Sequence, residues 1–280
     1  MDFISGGLMS SFFTKKFREF CLGTRPKEIG VFAKRLALVK RRVFPDATTG
    51  LDWWIDPISQ FADEMERGGY EPEIQHWLSS CVLQGECVLD VGANEGFFSV
   101  YCGARLGAAR VLAFEPNPQL WSTIVRNCQL NSLFCVSVIP FAAGQENTDQ
   151  TLTIQPDINS GGSTLLSRKS RFDRFRPKVK TKCVKIDDVC DANKIDRVAA
   201  LKIDVEGFER EVLAGAEKML AGHKIGSVGV EVHQTEDLSM QGMKAELCKT
   251  MESHGYRCRE PSALRWLTFD SESLIAKSRM

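Results

Sequence analysis

No stretch of this sequence approaches the roughly 18 consecutive apolar residues that a membrane-crossing helix needs. A secretory leader is not expected either. The mildly apolar start, Met1 to Phe13, meets its first charge at Asp2 and has the Lys15/Lys16 pair after the apolar stretch, the reverse of the order in a leader. The ten cysteines contain no Cys-x-x-Cys and pair with no nearby histidine. That argues against a zinc site and, in a chain of 280 residues, against a disulfide framework. Reduced, buried thiols and a cytoplasmic location are the expectation. Net charge is also missing: 36 basic and 36 acidic residues cancel, which excludes a uniformly basic nucleic-acid binder and an acidic tail protein. Repeats and low-complexity tracts are absent as well.

The charge that is present is unevenly spread. Residues 1–50 hold ten Lys/Arg against four Asp/Glu, which leaves 26 against 32 for the remainder. Within this basic arm Phe12, Phe13, Phe17 and Phe20 recur near helical spacing, as do Val31, Phe32, Leu36 and Val39. The reading favoured here is a helical arm packed on the main body with its basic face solvated; contact with an anionic membrane or with nucleic acid is the alternative. Residues 51–84 read as a helical lead-in, with a helical pattern from Glu73 to Val82 that Gly85 breaks. Trp53 and Trp54 read as core or lid.

From residue 85 onward, short apolar runs alternate with helical stretches, the signature of a parallel sheet covered on both faces. Strands are expected at Cys87–Val91, Arg110–Phe114, Val136–Phe141, Ala199–Ile203 and Ser227–Val232, and two closing strands at Tyr256–Arg259 and Leu264–Phe269. Helices are expected at Phe97–Leu106, Pro118–Leu130, Phe208–Leu220 and Gly242–His254, with an insertion at about 142–186. In open α/β sheets ligands bind beyond the carboxyl ends of the strands, so the residues that follow each strand carry the functional information.

After the first of these strands comes Asp90-Val-Gly92-Ala-Asn94-Glu95-Gly96-Phe97. Glycines at 92 and 96 permit a tight turn and close backbone approach to a ligand, with helix N–H groups facing the same place. Glu115, at the end of the next strand, is placed to accept ribose hydroxyls. A dinucleotide loop uses Gly-x-Gly-x-x-Gly and lies against a pyrophosphate. Here the spacing is Gly-x-x-x-Gly, and the carboxylates of Asp90 and Glu95 would repel phosphate. The same charges suit the sulfonium and ammonium of S-adenosylmethionine, so a methyl-donor site is expected.

Four stretches carry a family likeness: Val88-Leu-Asp-Val-Gly-Ala-Asn-Glu-Gly-Phe-Phe-Ser99, Ala113-Phe-Glu-Pro-Asn-Pro118, Ala200-Leu-Lys-Ile-Asp-Val-Glu-Gly-Phe-Glu209 continuing to Val212-Leu-Ala-Gly-Ala216, and Val230-Glu-Val-His233. With weaker landmarks at Tyr70-Glu71-Pro72 and Ser160-Gly-Gly-Ser163, the sequence resembles the FkbM family of class I S-adenosylmethionine-dependent methyltransferases over about residues 68–235. The resemblance implies a Rossmann-like, seven-stranded, mostly parallel sheet with one antiparallel strand and helices on both faces, and O-methylation of a hydroxyl. It implies a cofactor site formed from Glu71, Asp90, Gly92, Asn94, Glu95, Gly96, Phe97, Glu115, Pro116, Asn117 and Ala142.

Strand periodicity puts Lys202, Asp204 and Glu206 on one side, and Glu231 with His233 on one face of the next strand. If those strands are neighbours, three carboxylates and an imidazole gather at one sheet edge, a concentration of like charge that marks function. Methyl transfer is an in-line displacement in which the protein positions the acceptor and removes its proton. His233, with an ordinary pKa of about 6.5, is the expected base; Asp204 orients the acceptor or acts as base if its neighbours raise its pKa, and Glu206 and Glu231 complete the expected catalytic set. The rival role is a Mg²⁺ site on Asp204, Glu206 and Glu231 that acidifies the hydroxyl. Glu209 and Glu211, in the following helix, read as solvated, and His76, His223 and His254 lack clustered partners.

The insertion carries Arg168, Lys169, Arg171, Arg174, Arg176, Lys178, Lys180, Lys182 and Lys185 against Asp173 alone between 168 and 185. A solvated basic loop is the simpler reading; an anionic acceptor or RNA is the alternative. No RNA-binding module accompanies it, so nucleic acid is not the expected partner. The Asn/Asp-Pro-Pro-aromatic motif that base N-methyltransferases use for a planar amine is absent after the fourth strand, which favours a hydroxyl acceptor. A small-molecule or glycan O-methyltransferase is therefore expected, ahead of an RNA or protein methyltransferase and of a non-catalytic S-adenosylmethionine-binding scaffold.

Overall fold

The computed structural model describes residues 7–24, 27–155, 163–165, 176–259 and 265–272. They form two compact units, one centred on the first 71 residues and the other on residues 72–154 and 163 onward. The division differs from the boundaries at 50 and 84 read from the sequence: the lead-in is shared between the units.

The N-terminal unit contains α1 (Gly7–Gly23), α2 (Lys27–Leu36), a hairpin of β1 (Arg42–Asp46) and β2 (Leu51–Ile55), and α3 (Gln60–Arg67). The helical expectation for the arm holds over α1 and α2, but the lead-in opens with a strand. Leu51, Trp53 and Ile55 are buried and alternate with half-buried Asp52 and Trp54, a period of two. Asp46 closes the turn by accepting the Thr48 and Thr49 N–H groups, and Gly50 supplies the left-handed φ of 71°. Ser59 caps α3 by accepting the Ala62 N–H. Arg18, 1% exposed, donates to the Pro57 carbonyl and pairs with Glu66 and Asp63, so its burial is compensated.

The second unit follows the expected alternation: α4 (Pro72–Cys81), β3 (Cys87–Val91), α5 (Phe97–Ala104), β4 (Arg110–Phe114), α6 (Pro118–Leu130), β5 (Val136–Ile139), β6 (Ala142–Ala143), β7 (Thr148–Thr153), β8 (Lys178–Val184), α7 (Ile186–Ala192), β9 (Val198–Ile203), α8 (Glu209–Ala214), α9 (Glu217–Ala221), β10 (Ile225–Glu231), α10 (Met240–Ser253), β11 (Tyr256–Cys258) and β12 (Trp266–Ser271). The main sheet has seven strands in the order β11-β12-β10-β9-β3-β4-β5. Only β12 runs antiparallel to its neighbours. Its central strands are nearly continuous apolar runs because both faces are covered, and Leu89, Leu112, Phe114, Leu201, Val228 and Phe269 lie in one core.

Two expectations for this unit change. The helix at Phe208–Leu220 is two helices, α8 and α9, separated at Gly215, where a Cβ would stand 2.1 Å from the Gly144 carbonyl oxygen. Part of the insertion forms a second sheet, β6-β8-β7, in which Lys178, Lys180 and Lys182 share the exposed face of β8 and Thr181 and Cys183 point inward. Those lysines are solvated, as the simpler reading had it. Arg168, Lys169, Arg171, Asp173 and Arg174, most of the Ser160–Ser163 landmark and Leu264 lie outside the described residues. All ten cysteines are free thiols. Among the described residues no helix is long and apolar enough to cross a membrane.

Candidate active site

The chain leaves β3 in one direction through β4 and β5, then returns to place β9 and β10 on the other side, so the topological switch lies between β3 and β9. The loops after these two strands touch. Gly92 has φ 78°, and a Cβ there would lie 1.8 Å from the Asp204 carbonyl oxygen, so no side chain fits. Asn94 and Gly96 are also left-handed, and Gly96 leads into α5. The Gly92 and Ala93 N–H groups both donate to the Phe114 carbonyl, which ties this loop to the end of β4.

Glu115 sits next in that chain. It is buried, and its two carboxylate oxygens each accept a backbone N–H at 2.8 Å, from Asn94 and from Asn117. Burial pushes its pKa up to about 7 against the pull of those two bonds. Asn117 accepts the Gln119 N–H and starts α6 with Pro118 at its first turn. Pro116 is half-buried, Glu95 and Phe97 are buried, and Ala142 lies just beyond β5 at the same carboxyl edge. Glu71 belongs to the N-terminal unit, half-buried with φ 45°.

Asp90 has a more internal task than the sequence suggested. It is 1% exposed, accepts the Ser99 hydroxyl at 2.6 Å and pairs with the Lys202 ammonium at 3.2 Å. Lys202 also donates to the Gly92 carbonyl and lies 3.5 Å from Asp204. One buried lysine thus braces both loops, and Asp90's charge is neutralised in place. The pairing is legible in register: Asp90 and Lys202 are direct partners on β3 and β9.

β9 and β10 are parallel neighbours, with Ile203 opposite Val230, so Asp204 and Glu231 leave the sheet side by side. Asp204, Glu231 and His233 each offer a ligand atom within 4.8 Å of the others. His233 Nε2 lies 3.7 Å from Glu231 and 3.8 Å from Glu206. The four groups expected to converge do converge. Glu206 sits at φ 54° before Gly207, and the buried Thr164 from the insertion fixes this turn by donating to the Glu206 carbonyl.

Glu209 overturns its expected solvation. It is fully buried, accepts the Gly207 N–H, and its Oε1 stands 2.7 Å from His233 Nδ1. Sequence spacing hides this partner because the contact joins α8 to a residue 24 positions later, beyond β10. Burial alone would lower the His233 pKa, but the Glu209 bond and the charges of Glu206 and Asp204 outweigh it and push it up to about 9. Glu231 is raised to about 8 by burial and by Asp204. Of the other histidines, His223 stacks on Tyr256 and His254 pairs with Glu217, away from this cluster. Glu211 is half-buried.

Residues 90–258 match the family model described as the Methyltransferase FkbM domain. The chain is 31% identical over 145 residues to Methyltransferase 1 of Beauveria bassiana, covering 46% of this chain and 58% of that protein. It is 26% identical over 168 residues to the hexuronic acid methyltransferase AglP of Haloferax volcanii, covering 60% and 64%. It is also 26% identical over 196 residues to the 31-O-demethyl-FK506 methyltransferase FkbM of Streptomyces tacrolimicus, covering 61% and 73%. The match therefore spans about three fifths of the first two relatives' length. Among solved structures, the methyltransferase FkbM of Methylobacillus flagellatus shares 21% identity at a TM-score of 0.46, over 71% of this chain and 50% of that one. Because the matched family region takes in the glycine loop, Glu115 and the whole acid–imidazole cluster and covers more than half of the chain, the protein belongs to the FkbM methyltransferase family.

Proposed function

We propose that the protein transfers a methyl group from S-adenosylmethionine to a hydroxyl of a small molecule or glycan, such as a sugar or polyketide. The observation that carries this reading is the buried Glu209–His233 pair, which turns Nε2 toward Glu231 and Glu206 beside the glycine loop. The relatives named for hexuronic acid and for 31-O-demethyl-FK506 support an oxygen acceptor.

The residues present fit the cofactor. Glu115 is held by its two N–H bonds with lone pairs left to accept ribose hydroxyls, and the left-handed turn through Gly92, Asn94 and Gly96 lies beside it. When bound, S-adenosylmethionine supplies a methyl group on a sulfonium leaving group. In this reading His233 Nε2 takes the proton of the acceptor hydroxyl. Glu209 orients the imidazole through Nδ1 and stabilises the imidazolium that results, while Asp204 and Glu231 position the acceptor. With a pKa of about 9, His233 is a strong base that carries its own proton at neutral pH, so turnover climbs as pH rises toward that value.

A second reading has a specific observation behind it. Asp204, Glu231 and His233 could hold a divalent cation, with Glu209 as the outer carboxylate that usually supports a ligating histidine. His233 then takes the place that the sequence reading gave to Glu206. The Lys202 ammonium 3.5 Å from Asp204 works against it, and it ranks second.

The test is transfer of labelled methyl from S-adenosylmethionine to a panel of sugar acids and macrocyclic alcohols, with chelator and with added Mg²⁺ or Mn²⁺. A methyl ether formed in chelator supports the His233 base; product only with added metal supports the cation. Label appearing solely in RNA or protein overturns the small-molecule or glycan acceptor.

A further inference from the structure

Six of the nine large apolar side chains that are most exposed among the described residues lie between Phe20 and Val43. Helix α2 explains why they cannot all be core. Gly30 and Lys34, one turn apart, form its inward side: a Cβ at Gly30 would lie 2.2 Å from the Cys21 carbonyl of α1, and Lys34 is buried in an ion pair with Asp56. The opposite side carries Ile29, Phe32 and Leu36 at helical spacing, 48%, 63% and 68% exposed, and the stripe continues into Leu38 at 79%.

The charges around this stripe are predominantly basic, Glu28 at the start of α2 being the one acidic residue between Lys27 and Pro45. From Ile29 to Pro45 there is no acidic residue, and the basic ones are Lys34, Arg35, Lys40, Arg41 and Arg42. Lys34 is engaged by Asp56 and Arg41 donates to the Trp54 carbonyl; Arg35, Lys40 and Arg42 are exposed. An apolar stripe of this kind, flanked by cations, fits a surface that is negatively charged outside and apolar a few ångströms below.

We propose that α2 and the segment after it, through Arg42, dock this protein on an anionic lipid bilayer. Ile29, Phe32, Leu36 and Leu38 enter the headgroup–acyl boundary, and Arg35, Lys40 and Arg42 face the lipid charge. The docking is peripheral and reversible, because one short helix and three cations give modest affinity. It is independent of the methyl-transfer reading.

The test is co-sedimentation of the full chain with vesicles of phosphatidylcholine alone and of phosphatidylcholine mixed with phosphatidylserine. Binding to the anionic vesicles alone is expected, falling as salt shortens the Debye length below about 10 Å. Replacing Arg35, Lys40 and Arg42 with serine should lower partitioning about fivefold per charge. Phe32→Ser with Leu36→Ser should lower it at least about tenfold, with an unchanged thermal melt because both side chains are exposed. No binding to anionic vesicles, or binding that these substitutions leave unchanged, overturns the proposal. So does self-association without lipid that the Phe32/Leu36 variant abolishes, which would assign the stripe to a second copy of the chain.

Discussion

Glu209→Gln tests the chemistry at its least expected point. The amide keeps the size of the carboxylate and can still accept the Gly207 N–H, but it removes the charge 2.7 Å from His233 Nδ1. A hydrogen bond to a charged group inside a protein is worth about 1.5–3 kcal/mol, and one pKa unit corresponds to about 1.4 kcal/mol. The His233 pKa should therefore fall by about one to two units from its value of about 9. Proton NMR of the His233 ring against pH measures this without knowledge of the acceptor, and single-turnover methyl transfer should show the same shift in its pH profile. The stability consequence has a definite sign. Because the folded pKa lies above the ordinary 6.5, the pair's contribution is complete below about 6.5 and is lost as pH rises through about 9. The variant should lose stability at pH 6 and little at pH 10. A wild-type His233 titrating near 6.5, or one unmoved by the substitution, would refute the pairing.

Lys202→Met should cost about 3–5 kcal/mol in chemical denaturation, since it leaves Asp90 buried without its cation. Lys202→Met combined with Asp90→Asn should recover part of that loss. Glu115→Ala should abolish binding of S-adenosylmethionine, and wild-type binding should tighten as pH rises through about 7 and Glu115 ionises. His233→Ala and Asp204→Ala should each leave binding within a few fold while removing turnover; normal turnover in both would show that the chemistry lies elsewhere. Gly92→Ala should lower the melting temperature sharply, because its Cβ would overlap the Asp204 carbonyl at a φ that alanine avoids.

The fold was legible where the chain follows a single period. β3, β4 and α6 have the bounds read from the sequence because apolar runs, Gly92 and the Asn117-Pro118 helix start punctuate them clearly. The β1–β2 hairpin is hard to read from sequence although Leu51, Trp53 and Ile55 alternate with less buried positions, because Pro45 and the basic stretch before it mask the strand. The alternating lysines of β8 resemble a charge cluster in a loop unless the buried Thr181 and Cys183 between them are weighed.

At the site, the residues that follow strands were found, because topology alone sends them to one edge. Asp204, Glu206, Glu231 and His233 met as expected once β9 and β10 proved adjacent. Glu209 and Thr164 were not found. Both act from elements whose placement depends on packing, α8 meeting the segment after β10 and the insertion reaching the Glu206 turn. A lysine inside the apolar run Val198–Ile203 was the one internal signal left unused: such a residue demands a buried partner, and Asp90 lies opposite.

Calorimetric titration of the purified protein is the test of a methyl-donor site at the Gly92–Glu115 edge. Micromolar binding of S-adenosylmethionine is expected, with loss of that binding in Glu115→Ala and no binding of NAD⁺ at the same concentrations. Binding of NAD⁺ alone, or of neither ligand, would contradict it.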